Sequence, residues 1–346
     1  MAKPIRINLA LQGGGAHGAF TWGVLDRLLD DEDIEIAGIS GTSAGAMNGA
    51  AFKSGWLEGG RDGARANLDW LWHQLGALQE TPMTAWLLAF APSTAFLGRA
   101  MEYSVGSALA DAAARFSSPY ALGPFYDNPL RTVAERFHYD AVCAADGPRL
   151  FIGATSVHSG KIRIFTGDDI TPDAILASAC LPTLFQAVEI ENPDTGKTEA
   201  FWDGGYTGNP ALFPLFDPDL PDDILIVSIN PMERTEVPIT PQQIHNRINE
   251  ISFNSSLLRE LRAIGFVKRL LAAGNIKPGS MKDVLVHMIA DDALMTELSV
   301  ATKLTPGPVL LSRLKSAGRA AADAFLSAHK SDLGKRATLN LQEMYD

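Results

Sequence analysis

Three short stretches of this chain carry residues that could do chemistry: Gly13-Gly14-Gly15-Ala16-His17-Gly18, Gly41-Thr42-Ser43-Ala44-Gly45 and Asp203-Gly204-Gly205. The first has the spacing of a loop that cradles a pyrophosphate at a helix N-terminus, and the same backbone could hold the oxygen anion of an acyl-transfer intermediate. The second is G-x-S-x-G, in which small residues flank a serine on a strained turn so that its hydroxyl projects above a sheet. The third puts a carboxylate at the end of a strand-like run, EAFW, just ahead of Asn209-Pro210. Taken alone, that third stretch is as readily an ordinary turn as a catalytic acid.

Such residues act only where strands and helices aim them. Residues 5–12 are a short apolar run and 19–29 repeat apolar residues at helical spacing, which predicts strand, tight loop and helix. IEIAGIS at 34–40 predicts a second buried strand, and AMNGAAFKSG a second helix closed by Gly55. Two strand–turn–helix units in succession predict a parallel sheet with right-handed crossovers. Both strand ends then face one crevice.

Further along, residues from about 60 to 137 are helical and aromatic-rich, broken by Pro and Gly, and read as an insert packed over the sheet. RLFIGATSV and KIRIFTG predict a hairpin turning at His158-Ser159-Gly160, and FQAVEI with EAFWDGG a second hairpin-like pair. Thr171-Pro172 starts a helix, with Thr as cap and Pro at the first position, that runs to Cys180. DDILIVSIN at 222–230 predicts another buried strand, and the pattern beyond Pro241 is helical, including 309–329.

The end of the second strand decides between phosphate and oxyanion. A dinucleotide site wants a ribose-binding acid there. Asp33 and Glu35 instead precede or open that strand, and Ser43 stands at its far end. The pairing assigns the backbone N–H groups of Gly13, Gly14 and Gly15 to the oxygen of a tetrahedral intermediate on Ser43, where a Cβ would block the approach. Histidine is the usual base for a serine. None of His17, His73, His138, His158, His245, His287 and His329 falls in a loop after a late strand, where the order Ser, acid, His would place it.

Together the three stretches resemble the patatin-like phospholipase family. GGGAHG is similar to its oxyanion loop with Gly18 as the closing glycine, GTSAG with Gly41 and Gly45 to its nucleophile elbow, and DGG with Gly204 and Gly205 to its catalytic aspartate motif. ASACLPTLF at 177–185 is similar to the helix and proline turn that precede that aspartate. The resemblance implies a Ser43–Asp203 dyad without a catalytic histidine, acting on lipid acyl esters. It implies a three-layer α/β/α fold with a mostly parallel central sheet, a helical insert at about 60–137 and a C-terminal helical extension. The expected division is a catalytic domain at 1–230, with the motifs within about 7–212, and an extension at 231–346. The family's loop usually carries Arg or Lys where this chain has His17, which is read as a structural hydrogen-bonding residue.

Composition narrows the partners. With 29 Lys and Arg against 40 Asp and Glu, the net charge is −11, so no general field attracts nucleic acid. Cys143 and Cys180 lack metal or disulfide spacing, and no metal and no cofactor is expected. Residues 81–98 are uncharged and long enough for a membrane span, but Pro82 and Pro92 make them a poor bilayer helix, so they read as a buried or lid segment. The expectation is a cytoplasmic protein; peripheral membrane contact and oligomeric state are left open. Trp70, Trp72, Trp86, Leu87, Leu88 and Phe90 suit an acyl-chain cleft or lipid interface as well as plain core. The helix at 242–271 sets Arg247, Arg259, Arg262, Lys268 and Arg269 against Glu250 and Glu260, an excess that would favour an anionic membrane, although a solvated face is the commoner meaning. Three alternatives stand beside a lipid acyl hydrolase. The same dyad could cut a storage polyester. A dinucleotide-binding oxidoreductase would leave GTSAG and DGG without a role, and retained Ser43 and Asp203 argue against a non-catalytic lipid-binding scaffold.

Overall fold

The computed structural model describes residues 3–77, 118–192, 195–234, 237–277, 279–298, 302–303 and 306–345. The uncharged stretch 81–98, with Trp86, Leu87, Leu88 and Phe90, lies outside the described residues. Eight strands form one sheet: β1 (Ile5–Leu11), β2 (Ile34–Gly41), β3 (Arg149–Ser156), β4 (Ile162–Thr166), β5 (Val188–Asn192), β6 (Lys197–Asp203), β7 (Asp223–Val227) and β8 (Leu285–Ile289). Their order is β5-β6-β3-β2-β1-β7-β8, with β4 hydrogen-bonded to β3. The five strands from β3 to β8 in that order run parallel, while β4, β5 and β6 pair antiparallel. Both predicted hairpins are present as β3–β4 and β5–β6.

Strand periodicity divides the core into two layers. Along β1, Ile7, Leu9 and Leu11 face the cluster that includes Phe20, Leu25, Phe52 and Leu314, whereas Ala10 faces Leu212, Leu257 and Leu261. On β7, Leu225 and Val227 take the first side and Ile224 and Ile226 the second. A period of two with apolar residues on both faces is what a strand covered on both sides requires. The described helices are α1 (Gly18–Leu28), α2 (Ala44–Ala77), α3 (Arg131–Ala134), α4 (Tyr139–Cys143), α5 (Pro172–Ser178), α6 (Pro241–Ala272), α7 (Asp292–Glu297) and α8 (Pro308–His329). Residues of α1, α2, α5 and α8 build the first layer and α6 the second, giving the three-layer α/β/α arrangement.

Local chemistry explains the helix boundaries. Thr171 caps α5 by accepting from the Ala174 N–H, and Thr240 with Gln243 forms a capping box at α6, each followed by Pro at the first helical position. α2 is broken at Gly59 and Gly60, close to where the insert was expected to begin. The C-terminal region is largely helical, but it also supplies β8, which pairs with β7 from Asp223↔Leu285 to Val227↔Ile289. The sheet therefore runs through the boundary expected at residue 230. A five-residue strand with His287 at its centre is too short to stand out from helical surroundings.

Of the basic residues of α6, Arg259, Arg262 and Arg269 are exposed, as a solvated face would have them. Arg247 turns to Glu250, Lys268 pairs with Asp283 at 2.6 Å, and Glu260 accepts from the backbone of Leu212 and Phe213, each at 2.8 Å. Trp72 is buried, with its Nε1–H donating to Asn48, so it belongs to the core. Among the described residues no helix is long and apolar enough to cross a membrane.

α8 lies against α1 so closely that a Cβ on Gly318 would stand 2.0 Å from the Phe20 carbonyl oxygen. Gly318→Val is therefore expected to lower unfolding free energy by about 2 kcal/mol or more in urea denaturation. Ala320→Ser, on the exposed side of the same helix, should shift it by under about 0.5 kcal/mol.

Candidate active site

The expected nucleophile elbow falls on the turn between β2 and α2. Ser43 has φ of 54°, the one non-glycine residue in the left-handed region among those described. Backbone in that region carries a strain of about 1–3 kcal/mol, and it persists only where neighbours fix it. Here Gly45 N–H donates to the Thr42 carbonyl at 2.8 Å and Thr42 Oγ1 donates to the Gly208 carbonyl at 2.7 Å. The Ser43 N–H donates to Ser178 Oγ at 2.9 Å, and that hydroxyl donates onward to the Gly153 carbonyl at 2.7 Å. Small residues let the turn close. A Cβ on Gly45 would lie 2.1 Å from the Leu11 carbonyl oxygen, one on Gly41 2.6 Å from the Gly45 oxygen, and one on Gly18 2.7 Å from Ala44 Cβ.

β3 brings the aspartate to the serine. Its Ile152 pairs with Gly41 of β2 and its Ala154 with Asp203 of β6, so the ends of two strands distant in sequence meet across it. Asp203 is fixed through its backbone, donating N–H to the Cys180 carbonyl at 2.7 Å and accepting from Thr155 Oγ1 at 2.8 Å. Gly204 packs against β3, where a Cβ would meet the Gly153 oxygen at 2.1 Å, and Gly205 N–H donates to Asp203 Oδ1 at 2.7 Å. Asp203 is 1% exposed, whereas Ser43 is partly accessible. Burial pushes the Asp203 carboxyl up to about 7, against the hydrogen bonds from Gly205 N–H and the Ser43 side chain, which favour the ionised form. The same burial lifts the adjacent Cys180 thiol to about 12, so it stays protonated.

The glycine loop lies against Ser43: a Cβ on Gly13 would be 2.7 Å from Ser43 Cβ. Gly13 N–H donates to Asn209 Oδ1 at 2.7 Å, and its carbonyl accepts from Asn230 Nδ2 at 2.8 Å. Gln12 Oε1 accepts from the N–H groups of Ile229 and Asn230 at 2.9 and 3.1 Å, tying the end of β1 to the chain beyond β7. The Gly13 amide is thus engaged, which corrects its expected share in an oxyanion site. The amides of Gly14 and Gly15, at the start of the 3₁₀ turn Gly15–His17, have no protein acceptor among the described residues.

His17 is buried, and its Nε2 meets Thr302 Oγ1 at 2.7 Å. Burial first, then the charges of Lys303 and Arg234, hold its pKa well below the ordinary value, so the ring is neutral and structural. His287 bonds Asp223 and Thr338, His73 the Asp69 carbonyl, His138 Glu58 and His329 Asp332. None of these partners belongs to the dyad. Asp33 pairs with Lys330 and Glu35 with Arg6 at the opening of β2, away from the glycine loop. No group of three or more His, Cys, Asp and Glu that could hold a metal occurs among the described residues.

Ser178, Asn209, Asn230 and Gln12 are the site residues that the sequence reading assigns no role. All four are buried amides or hydroxyls. Three of them close or follow strands at the crevice end, and a polar residue ending an apolar run is the signal that marks them. Ser178→Ala leaves the Ser43 N–H and the Gly153 carbonyl unpaired. It should lower stability by about 1–3 kcal/mol in thermal denaturation and slow phosphonylation of Ser43 by a fluorophosphonate.

Comparison with known proteins follows this geometry. The family model for patatin-like phospholipase matches residues 9–216, the span that holds all three motifs. No curated protein matches the chain. Among solved structures, VipD from Legionella pneumophila aligns over 94% of this chain and 67% of its own at 14% identity, with a TM-score of 0.41. With more than half of its length matched, the chain belongs to the patatin-like phospholipase family of lipid acyl hydrolases.

Proposed function

We propose that this protein hydrolyses lipid acyl esters by a Ser43–Asp203 dyad, and that the observation carrying this reading is the buried Asp203 carboxylate, which β3 brings to the end of the strand that leads into Ser43 and whose hydrogen-bond partners among the described residues carry no charge. A carboxylate of ordinary acidity is too weak a base to take a serine proton, and burial without a counter-charge removes that weakness. In the forward step Ser43 Oγ bonds the ester carbonyl carbon while its proton passes to Asp203. The carbonyl oxygen becomes an anion facing the Gly14 and Gly15 N–H groups, with Gly13 anchoring the loop through Asn209. Collapse breaks the bond to the alcohol, which leaves with the proton from Asp203. Water, deprotonated by the same carboxylate, then attacks the acyl-Ser43 ester, and the fatty acid leaves with Ser43 restored. Neither metal nor cofactor enters any of these steps.

Fluorophosphonate labelling tests the nucleophile. Parent protein should label and Ser43→Ala should not; equal labelling of both would refute the assignment. A panel of phospholipid, triacylglycerol and polyester substrates tests the class, since cleavage of polyester alone would move the enzyme away from lipids.

The base makes its own prediction. Only ionised Asp203 accepts the proton, so kcat/KM should rise tenfold per pH unit on the acid side of about 7. The folded-state pKa lies above that of the unfolded chain, so the folded form holds more protons between about 4 and 7 and stability falls as pH rises through that window. The full effect is on the order of 4 kcal/mol. Asp203→Asn should therefore be inactive yet melt higher than the parent at pH 8, with the difference shrinking as pH falls toward about 4.

A further inference from the structure

Two segments outside the family-matched residues back the glycine loop: the pair Thr302 and Lys303, against it directly, and the first half of α6, through Asn254, which accepts from Gln12, and Ser256, which accepts from the Asn209 N–H. The Lys303 backbone lies against one side of Gly15, where a Cβ would meet its carbonyl oxygen at 2.3 Å. The Lys303 ammonium turns inward, with its side chain 13% exposed, and donates to Asn230 Oδ1 at 2.8 Å. Asn230 Nδ2 in turn donates to the Gly13 carbonyl at 2.8 Å. That carbonyl and the Gly14 N–H are the two ends of one peptide unit. A cation is therefore joined, through a single amide side chain, to the peptide whose N–H has no protein acceptor among the described residues.

We propose that Lys303 is a positioning residue for acyl transfer, which acts through Asn230 to hold and polarise the Gly13–Gly14 peptide so that the Gly14 N–H donates more strongly to the developing oxyanion. The inference rests on the Ser43–Asp203 reading of the site. Hydrogen bonds in a chain polarise one another, and a carbonyl that accepts from a donor backed by a cation leaves its own N–H more acidic. The surroundings strengthen the effect. Glu250, 2% exposed, accepts from Arg234 at 2.7 and 2.8 Å and from Arg247 at 3.3 Å, and stands 4.0 Å from Lys303. One carboxylate thus faces three cations, and the surplus positive charge sits under the loop where negative charge develops in the reaction.

The same geometry makes the effect depend on pH. The charged or titratable groups facing Lys303 are Glu250 and Arg247 from α6, Arg234 from the segment after β7, and His17 from the loop. The arginines stay charged, Glu250 is held ionised by its arginine partners, and His17 is neutral. Burial, with repulsion from Arg234 and against attraction by Glu250, lowers Lys303 to about 8. Its charge is then lost just above the pH at which Asp203 becomes a base, which gives activity a narrow bell shape.

The test compares the full-length parent with Lys303→Met and Lys303→Arg. It measures kcat and KM on p-nitrophenyl butyrate from pH 5.5 to 10, together with the rate of Ser43 phosphonylation. Lys303→Met should lower kcat at pH 7.5 by about 10–100-fold, less than the 10²–10³ typical of deleting an oxyanion donor, because the donor remains. KM should change less than twofold, and the descending limb near pH 8 should vanish while the ascending limb near 7 persists. Lys303→Arg should keep most of the rate and carry the descending limb beyond pH 10. A Lys303→Met rate within twofold of the parent would overturn the proposal, as would a descending limb that survives unchanged. If Lys303→Met fails to fold, an unmoved descending limb in Lys303→Arg overturns it alone. Absence of Ser43 labelling in the parent would instead overturn the dyad itself, which separates the two failures.

Discussion

The site depends on a carboxylate buried beside a serine with no cation against it among the described residues. Asp203 is held by backbone on both sides and by the Gly205 N–H, and none of these partners carries charge. An ion pair there would have made the aspartate comfortable and useless as a base, since an opposite charge favours the ionised form and lowers proton affinity. The cations near the site are placed elsewhere: Lys303, Arg234 and Arg247 gather around Glu250, behind the glycine loop. Asp203 and the glycine loop thus sit in opposite electrostatic surroundings, as the proposed reaction, which moves a proton toward one and negative charge toward the other, requires.

That separation is built by the sheet. Parallel pairing of β1, β2 and β7 brings the ends of all three to one crevice, so that Gln12, Ser43 and Asn230 converge there. Antiparallel β6 delivers Asp203 to the same place from the other direction. The loop is then secured by side-chain amides from three segments, with Gly13 and Asn209 joined although 196 residues apart. Side-chain amides suit this task because each offers both donor and acceptor to a backbone that has no secondary structure of its own.

How much of this is legible in the sequence follows from what each residue does. The motif glycines and Ser43 are visible because their roles are local: a strained turn needs small neighbours, and those neighbours are adjacent in the chain. The β3–β4 and β5–β6 hairpins are visible for the same reason. β8 escapes notice as five residues interrupted by His287, which is held in the sheet by Asp223 and Thr338. Ser178 and Lys303 have ordinary neighbours in the chain and find their partners only when the sheet closes, so no local pattern marks them. The C-terminal region is for this reason less an extension than the back wall of the loop.

The central claim is that Asp203 carries its proton near neutrality. Its most direct test is a carboxyl titration by 13C NMR of protein labelled at aspartate, with Asp203→Asn identifying the resonance. The account predicts a resonance with a midpoint near pH 7 that is missing from the variant. A midpoint for Asp203 in the ordinary carboxylate range, near 4, would contradict it.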